Sequence, residues 1–217
     1  MFSGIIDRIG VIQKIAESAG GRVLSIDAPG YWSGLADGAS VAINGVCLTL
    51  TRADATSASF DVIAETLRRS TLGDLRQGDR VNLQKSMVVG DRIDGHFVQG
   101  HVDAVATIAA IEQSSKESIW WFEPGADAMR FMVPKGSVAI DGISLTIAAV
   151  EASRFSVALI PTTLELTTLN SRRAGEHVNI ETDILVRSIA HLMTTMRTDQ
   201  DPGGVDLSFL SKHGFDA

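Results

Sequence analysis

The chain has 217 residues, 45% of them hydrophobic and 21% charged, with a formal net charge of −7. That acidic balance argues against non-specific nucleic-acid binding. A lone cysteine, Cys47, excludes an intrachain disulfide, and no apolar run approaches the roughly 20 residues needed to cross a bilayer.

The first residues, MFSGIIDRIGVI, lack a basic leader, and Asp7-Arg8 interrupts their apolar run. No secretory signal is expected. With Cys47 as the only thiol, a reduced, cytoplasmic setting is the expectation, with neither nucleic acid nor membrane as partner. Short segments rich in Val, Ile, Leu and Thr follow: RVLSIDA at 22–28, SVAI at 40–43, CLTLT at 47–51, SASFDVIA at 57–64 and RVNLQ at 80–84. Short strands at such spacing, with turn residues between them, predict a barrel or sandwich. Asn44-Gly45 predicts a type I′ hairpin turn, because both residues tolerate positive φ. Brief helical stretches are expected near 31–36 and 65–71, and a short linker around 87–94.

The pattern then begins again. SVAINGVCLTL at 40–50 returns as SVAIDGISLTI at 137–147, and FDVIAETLRRSTL at 60–72 aligns with VALIPTTLELTTL at 157–169, 97 residues later. Near the N-terminus the offset is 96, aligning Gly4 with Gly100 and Ile5 with His101. A period this long is a duplicated domain, since solenoid units run roughly 20–50 residues. The expected organisation is one domain over 1–94, a second over 95–183, a helix over 184–197 and a tail over 198–217, expected to be mobile. Leu185, Ile189, Leu192, Met193 and Met196 recur at helical spacing. That apolar stripe either docks on its own chain or serves oligomerisation.

No P-loop, dinucleotide-binding glycine pattern, nucleophile elbow or zinc pattern is present. His96 and His101, with Asp94 and Asp103 nearby, are five apart, and strand alternation would put the imidazoles on opposite faces. No metal site is expected. Cys47 reads as a small apolar residue in the absence of a nearby base. Thr49 and Thr146 share faces with Cys47 and Ser144, which suits a strand and also suits a polar lip that binds a heteroaromatic ring.

MFSGII, GASVAINGVCLTL, GHFVQGHVD, KGSVAIDGISLTI and LIPTTLELTTL, in this order inside a duplicated frame, resemble riboflavin synthases of the α-chain type with two lumazine-binding repeats. The resemblance spans about residues 1–197. It implies an all-β fold of two similar six-stranded Greek-key β-barrels plus a C-terminal α-helix, assembled as a homotrimer. It also implies dismutation of two 6,7-dimethyl-8-ribityllumazine molecules, by four-carbon transfer, to riboflavin and 5-amino-6-ribitylamino-uracil, without metal or other cofactor. The active site would form between the first barrel of one subunit and the second barrel of its neighbour.

By the same resemblance, His101, Ser40, Cys47, Thr146 and Phe2 are catalytic. Phe2, Ser40, Cys47 and Thr49 would belong to the first barrel; His101, Lys135, Ser144, Thr146 and Asp183 would belong to the second. Lining from copy one would come from Gly4, Ile5 and Ile6, from Leu48, and from Val62, Ile63, Ala64, Glu65 and Thr66. Lining from copy two would come from Gly100 and Val102, from Leu145, and from Ile160, Pro161, Thr162, Thr163, Leu164 and Glu165. His101 would move the methyl proton, Ser144 and Thr146 would orient the ring, and Ser40 and Cys47 would assist addition at the partner lumazine. Related lumazine- and flavin-binding proteins that act as antennae are the alternative. A flavin-dependent oxidoreductase would need a nicotinamide-binding glycine pattern, which the sequence lacks.

Overall fold

The computed structural model describes residues 1–113, 117–199 and 213. The tail over 198–217 therefore lies outside the described residues, apart from its first two positions and His213. Copy one folds as β1 (Arg8–Ser18), β2 (Gly21–Asp27), β3 (Ser40–Ile43), β4 (Val46–Ala53), β5 (Ser57–Ile63), helix α1 (Ala64–Arg69) and β6 (Arg80–Lys85). Copy two repeats this as β7 (Ala104–Gln113), β8 (Ser118–Glu123), the short helix α2 (Ala126–Met129), β9 (Ser137–Ile140), β10 (Ile143–Val150), β11 (Phe155–Leu159), α3 (Pro161–Leu166) and β12 (His177–Thr182). The strands close into two six-membered antiparallel barrels, in the orders β1-β2-β5-β4-β3-β6 and β10-β11-β8-β7-β12-β9. Matched by the repeat, these are one topology.

Alternation explains the strands. Leu24 and Ile26 of β2 and Phe155, Val157 and Leu159 of β11 point into the barrels, where each is fully buried. Register shifts follow Ile12 and Leu50 in the first barrel and Ile108 and Ile147 in the second. The bulges stand at repeat-equivalent positions, where the extra bend lets a short sheet close. Trp32 and Phe60 fill the first core, with ring centroids 5.8 Å apart; Phe122 stacks on Phe155 in the second, at 5.5 Å.

The expected helix near 31–36 is a run of turns. Tyr31 and Trp32 are anchored in the core and Gly34 has φ +80°, which a helix does not accommodate. The second expected helix appears as α1 followed by a 3₁₀ turn, Thr71–Asp74.

The barrels meet at their hairpins. Asn44, Gly45, Asp141 and Gly142 all have positive φ, as type I′ turns require. A Cβ on Gly45 would lie 2.6 Å from the Gly142 nitrogen, so only glycine permits this approach. Asn82 and Asn179 cross over reciprocally. Asn82 donates to the Asp141 carbonyl at 3.0 Å and accepts from the Thr168 N–H; Asn179 donates to the Asn44 carbonyl at 2.8 Å and accepts from the Thr71 N–H. Both asparagines are buried, and each such bond contributes about 1 kcal/mol net, while an unpaired partner would cost more.

Helix α4 (Ile184–Asp199) carries the apolar stripe, and Leu185, Ile189, Leu192, Met193 and Met196 are each more than half exposed. Among the described residues, no helix is long and apolar enough to cross a membrane.

Candidate active site

Two polar rims, one per barrel, are built by the same strands. In the first, Ser40 pairs with Thr49 and Ala42 with Cys47 across β3 and β4. Leu48 and Leu50 point into the core, so Cys47 and Thr49 face outward, half-buried and exposed. The antiparallel register of β4 and β5 brings Val62 and Ile63 to the same end, where Ala64, Glu65 and Thr66 begin α1. Glu65 is tied to Arg68 and Arg69, whose guanidinium groups hold its carboxyl below the usual range. In the second rim, Ser137 pairs with Thr146 and Ala139 with Ser144 on β9 and β10. Ile160 follows β11 and caps α3, most of which is formed by Pro161, Thr162, Thr163, Leu164 and Glu165. Leu145 and Leu164 rest on the second core. Lys135 leads into β9 with φ +68°, a strained conformation for a side-chain-bearing residue.

The structure corrects one expectation: the segment before each barrel serves the other barrel's rim. The Cys47 N–H donates to the Gly100 carbonyl at 2.9 Å, and Val102 packs on the first core. Reciprocally, the Ser144 N–H donates to the Gly4 carbonyl at 2.7 Å, and Ile6 packs on the second core. His101 thus stands at the first rim, and Ile5 at the second. The segments cross at Phe2 and Val98, which pair through two backbone hydrogen bonds of 2.7 and 3.0 Å. The Phe2 ring has no exposed surface. It fills a small apolar cluster with Val98, Ala42 and Ala139, bordered by Cys47.

Residues 94–103 form bends around the Val98 bridge rather than a strand, so alternation does not orient the two histidines. His101 is exposed; His96 is buried, with Nδ1 2.7 Å from the Ser144 Oγ. Burial pushes its pKa down, partly opposed by the Asp183 carboxylate. The imidazole that meets a candidate hydroxyl is therefore His96, which sequence reasoning weighed only as a metal ligand. Among the described residues, no group of three or more His, Cys, Asp or Glu side chains gathers around a possible ion.

Glu181 is a second residue missed from the sequence. Its buried carboxylate accepts the backbone N–H groups of Gln99, Gly100 and His101 at 2.6, 2.9 and 3.0 Å. Burial outweighs these donors and pushes its pKa up to about 7. Its counterpart Gln84 accepts the Gly4 N–H at 3.0 Å and donates to the Ser3 hydroxyl. The offset of 97 residues shows this exchange of amide for carboxylate, and the parallel exchange of Asn44 for Asp141. A groove of about 810 Å³ runs past Ser3 and Ile5, but its walls are residues such as Asp7, Tyr31 and Lys85 rather than Cys47 or Ser144. Cys47 and Ser144 lie instead on the barrel faces beneath the crossing segments, under Gly100 and Gly4 respectively.

Comparison with known proteins matches this arrangement. The model of the lumazine binding domain matches twice, at residues 3–85 and 99–183. Riboflavin synthase of Actinobacillus pleuropneumoniae is 35% identical over 215 residues, covering 99% of this chain and 100% of that protein. Riboflavin synthase of Escherichia coli (strain K12) is 42% identical over 185 residues, covering 84% and 87%. Among solved structures, LumP complexed with 6,7-dimethyl-8-(1'-D-ribityl) lumazine superposes with a TM-score of 0.76 at 22% identity, covering 84% of this chain and 99% of that one. LumP complexed with riboflavin gives 0.77 at 24%, with the same coverage. At that identity the likeness shows the fold.

Proposed function

The chain belongs to the riboflavin synthase family, and from that premise we propose that it converts two molecules of 6,7-dimethyl-8-ribityllumazine into riboflavin and 5-amino-6-ribitylamino-uracil. The observation that carries this reading is the pair of rims: homologous, closely similar, and different at the reacting positions. A dismutation needs two copies of one compound held in different roles, and Cys47 against Ser144 and His101 against Ile5 supply the difference. Much of the catalysis is orientation, which can lower a barrier by on the order of 7–11 kcal/mol. Loss of a proton from the C7 methyl leaves an anion delocalised into the ring, and hydroxyl and imidazole donors aimed at it stabilise that charge.

In this reading His101 handles the methyl proton at the first rim, together with Ser40, Cys47 and Thr49. Ser144 and Thr146 orient the ring at the second, with Lys135 and Asp183 beside them. Phe2 acts as a positioning residue, because its buried ring fixes where the two segments cross. The exposed stripe of α4 supports a homotrimer in which the first barrel of one subunit faces the second barrel of the next. The lone thiol supports a cytoplasmic setting.

Incubation with the lumazine tests the proposal: riboflavin absorbance should grow as the substrate is consumed. A lumazine that stays bound and unconverted would favour an antenna protein. The polar residues retained on both rims support the enzyme.

A further inference from the structure

A buried charge stands behind the first rim. Glu181 pairs with Ala139 across β12 and β9 and is only 5% exposed. No Lys or Arg forms an ion pair with it among the described residues. Its partners are instead three consecutive backbone N–H groups of the crossing segment. Gln99 donates to Oε1 at 2.6 Å, and Gly100 and His101 donate to Oε2 at 2.9 and 3.0 Å. Gly100 sits at φ +83° in the middle of this run, and successive N–H groups turned inward in this way make a concavity that favours an anion. The Gly100 carbonyl accepts the Cys47 N–H at 2.9 Å, and a Cβ on this glycine would collide with the Cys47 Cβ. One residue therefore ties β12 of the second barrel to β4 of the first, and His101 is next in the chain.

A carboxylate suits this place and an amide does not. A carboxylate only accepts, whereas an amide or a protonated carboxyl turns a donor toward one of the three N–H groups. In copy one the amide of Gln84 is well matched, because it accepts the Gly4 N–H and gives its own proton to the Ser3 hydroxyl. The residue after Gly4 is Ile5, not an imidazole. Burial of Glu181 outweighs its three donors, and the nearby Asp103 carboxylate adds like charge. A buried charge without a cation, kept where a neutral residue serves in the other copy, points to a functional requirement rather than to stability.

We propose that Glu181 is a positioning residue: its carboxylate, reaching from the second barrel, sets the backbone of Gln99–His101 against Cys47 and so fixes where the His101 imidazole meets the substrate at the first rim. This rests on the lumazine-converting function proposed above. Ionised Glu181 accepts all three N–H groups; on protonation one of them loses its acceptor and the segment loosens. The other titratable groups on the elements around it are Asp103 leading into β7, Asp183 following β12, His101 on the held segment and Cys47 of β4 beyond Gly100, while β9 brings none.

The full-length wild type and its Glu181→Gln, His101→Ala and His101→Ala/Glu181→Gln variants test the proposal, by turnover and amide hydrogen exchange on both sides of a pH of about 7. Above it, misplacement of His101 in Glu181→Gln should lower kcat by about 10²-fold, with a far smaller change in KM. Below it, where the wild-type carboxyl is itself protonated, the two kcat values should converge. The other titrating groups are common to both chains and divide out of that ratio. The double variant should be no slower than His101→Ala, because Glu181 acts through His101. In the wild type, the Gln99, Gly100 and His101 amides should exchange about tenfold more slowly, relative to intrinsic rates, above that pH than below it, as loss of a hydrogen bond to a charged group implies. This series needs no variant, so it decides the matter even for a Glu181→Gln chain that fails to fold. A kcat ratio constant with pH, multiplying effects in the double variant, or wild-type exchange at these amides that ignores pH would overturn the proposal. If the wild type binds lumazine without converting it, the proposed function fails, and the exchange series still decides whether Glu181 holds the segment.

Discussion

Glu181 places a buried carboxylate where copy one carries Gln84, and this makes the stability of the protein depend on pH in a defined direction. Its pKa is raised from 4.5 to about 7, chiefly by burial, against the pull of three backbone N–H donors. A carboxyl whose folded pKa is raised binds its proton more tightly in the folded state. Its contribution is therefore fully present below the unfolded pKa and is lost as pH rises through the folded one. At 1.36 kcal/mol per pH unit, the interval between 4.5 and about 7 corresponds to about 3 kcal/mol. Glu181→Gln installs the residue of copy one and removes the titration. Urea unfolding of both proteins, in buffers spanning the interval, isolates this group, because every other titration cancels in the difference. The wild type should lose about 3 kcal/mol relative to Glu181→Gln as pH rises through it. A difference that stays constant with pH, or grows in favour of the wild type, would show that burial does not hold the Glu181 proton in the folded chain.

Asp141→Asn, which installs the residue of copy one at the second hairpin, should remove a similar loss: burial raises the Asp141 pKa from 3.8 to about 6. The same unfolding series read between those values checks it. Gly142→Ala adds a Cβ 2.8 Å from the Gly45 nitrogen at φ +79°. Left-handed strain and overpacking together should cost about 2–5 kcal/mol in thermal or urea unfolding; a loss under about 0.5 kcal/mol would show that the hairpins do not press together. His101→Ala and Ser40→Ala should lose turnover at least tenfold, about 1.4 kcal/mol of barrier, while lumazine binding changes far less. Unchanged turnover in both would remove them from the reaction. Ile189→Asp on the exposed stripe of α4 should convert a trimer to smaller species by sedimentation, and an unaltered sedimentation coefficient would argue against a helix-built assembly.

The barrels were legible because each strand carries a local signal: alternation in RVLSIDA, a turn pair in Asn44-Gly45, and a second copy with the same pattern. Tyr31 and Trp32 misled because nothing local distinguishes a helical turn from a loop pinned by two aromatic side chains in a core. The exchange of segments between the rims was not legible. The repeat aligns Gly4 with Gly100 but does not say which barrel either one reaches, and that is settled by the Phe2–Val98 crossing, a long-range contact. His96 was considered beside His101 on an assumed strand, whereas bends turn it toward Ser144. Glu181 was within reach of the sequence. Set at the 97-residue offset against Gln84, it shows a carboxylate replacing an amide next to a buried valine, asparagine and isoleucine run, the same substitution that sets Asp141 against Asn44.

In the proposed reaction two molecules of one compound take two unlike roles. Lumazine carrying carbon-13 at C6, C7 and both methyl groups, turned over by the wild-type chain, tests it most directly. Label from both molecules should end in the benzenoid ring and methyl groups of riboflavin, with one unlabelled 5-amino-6-ribitylamino-uracil released for each riboflavin formed. Recovery of the labelled lumazine unchanged from the protein would contradict it.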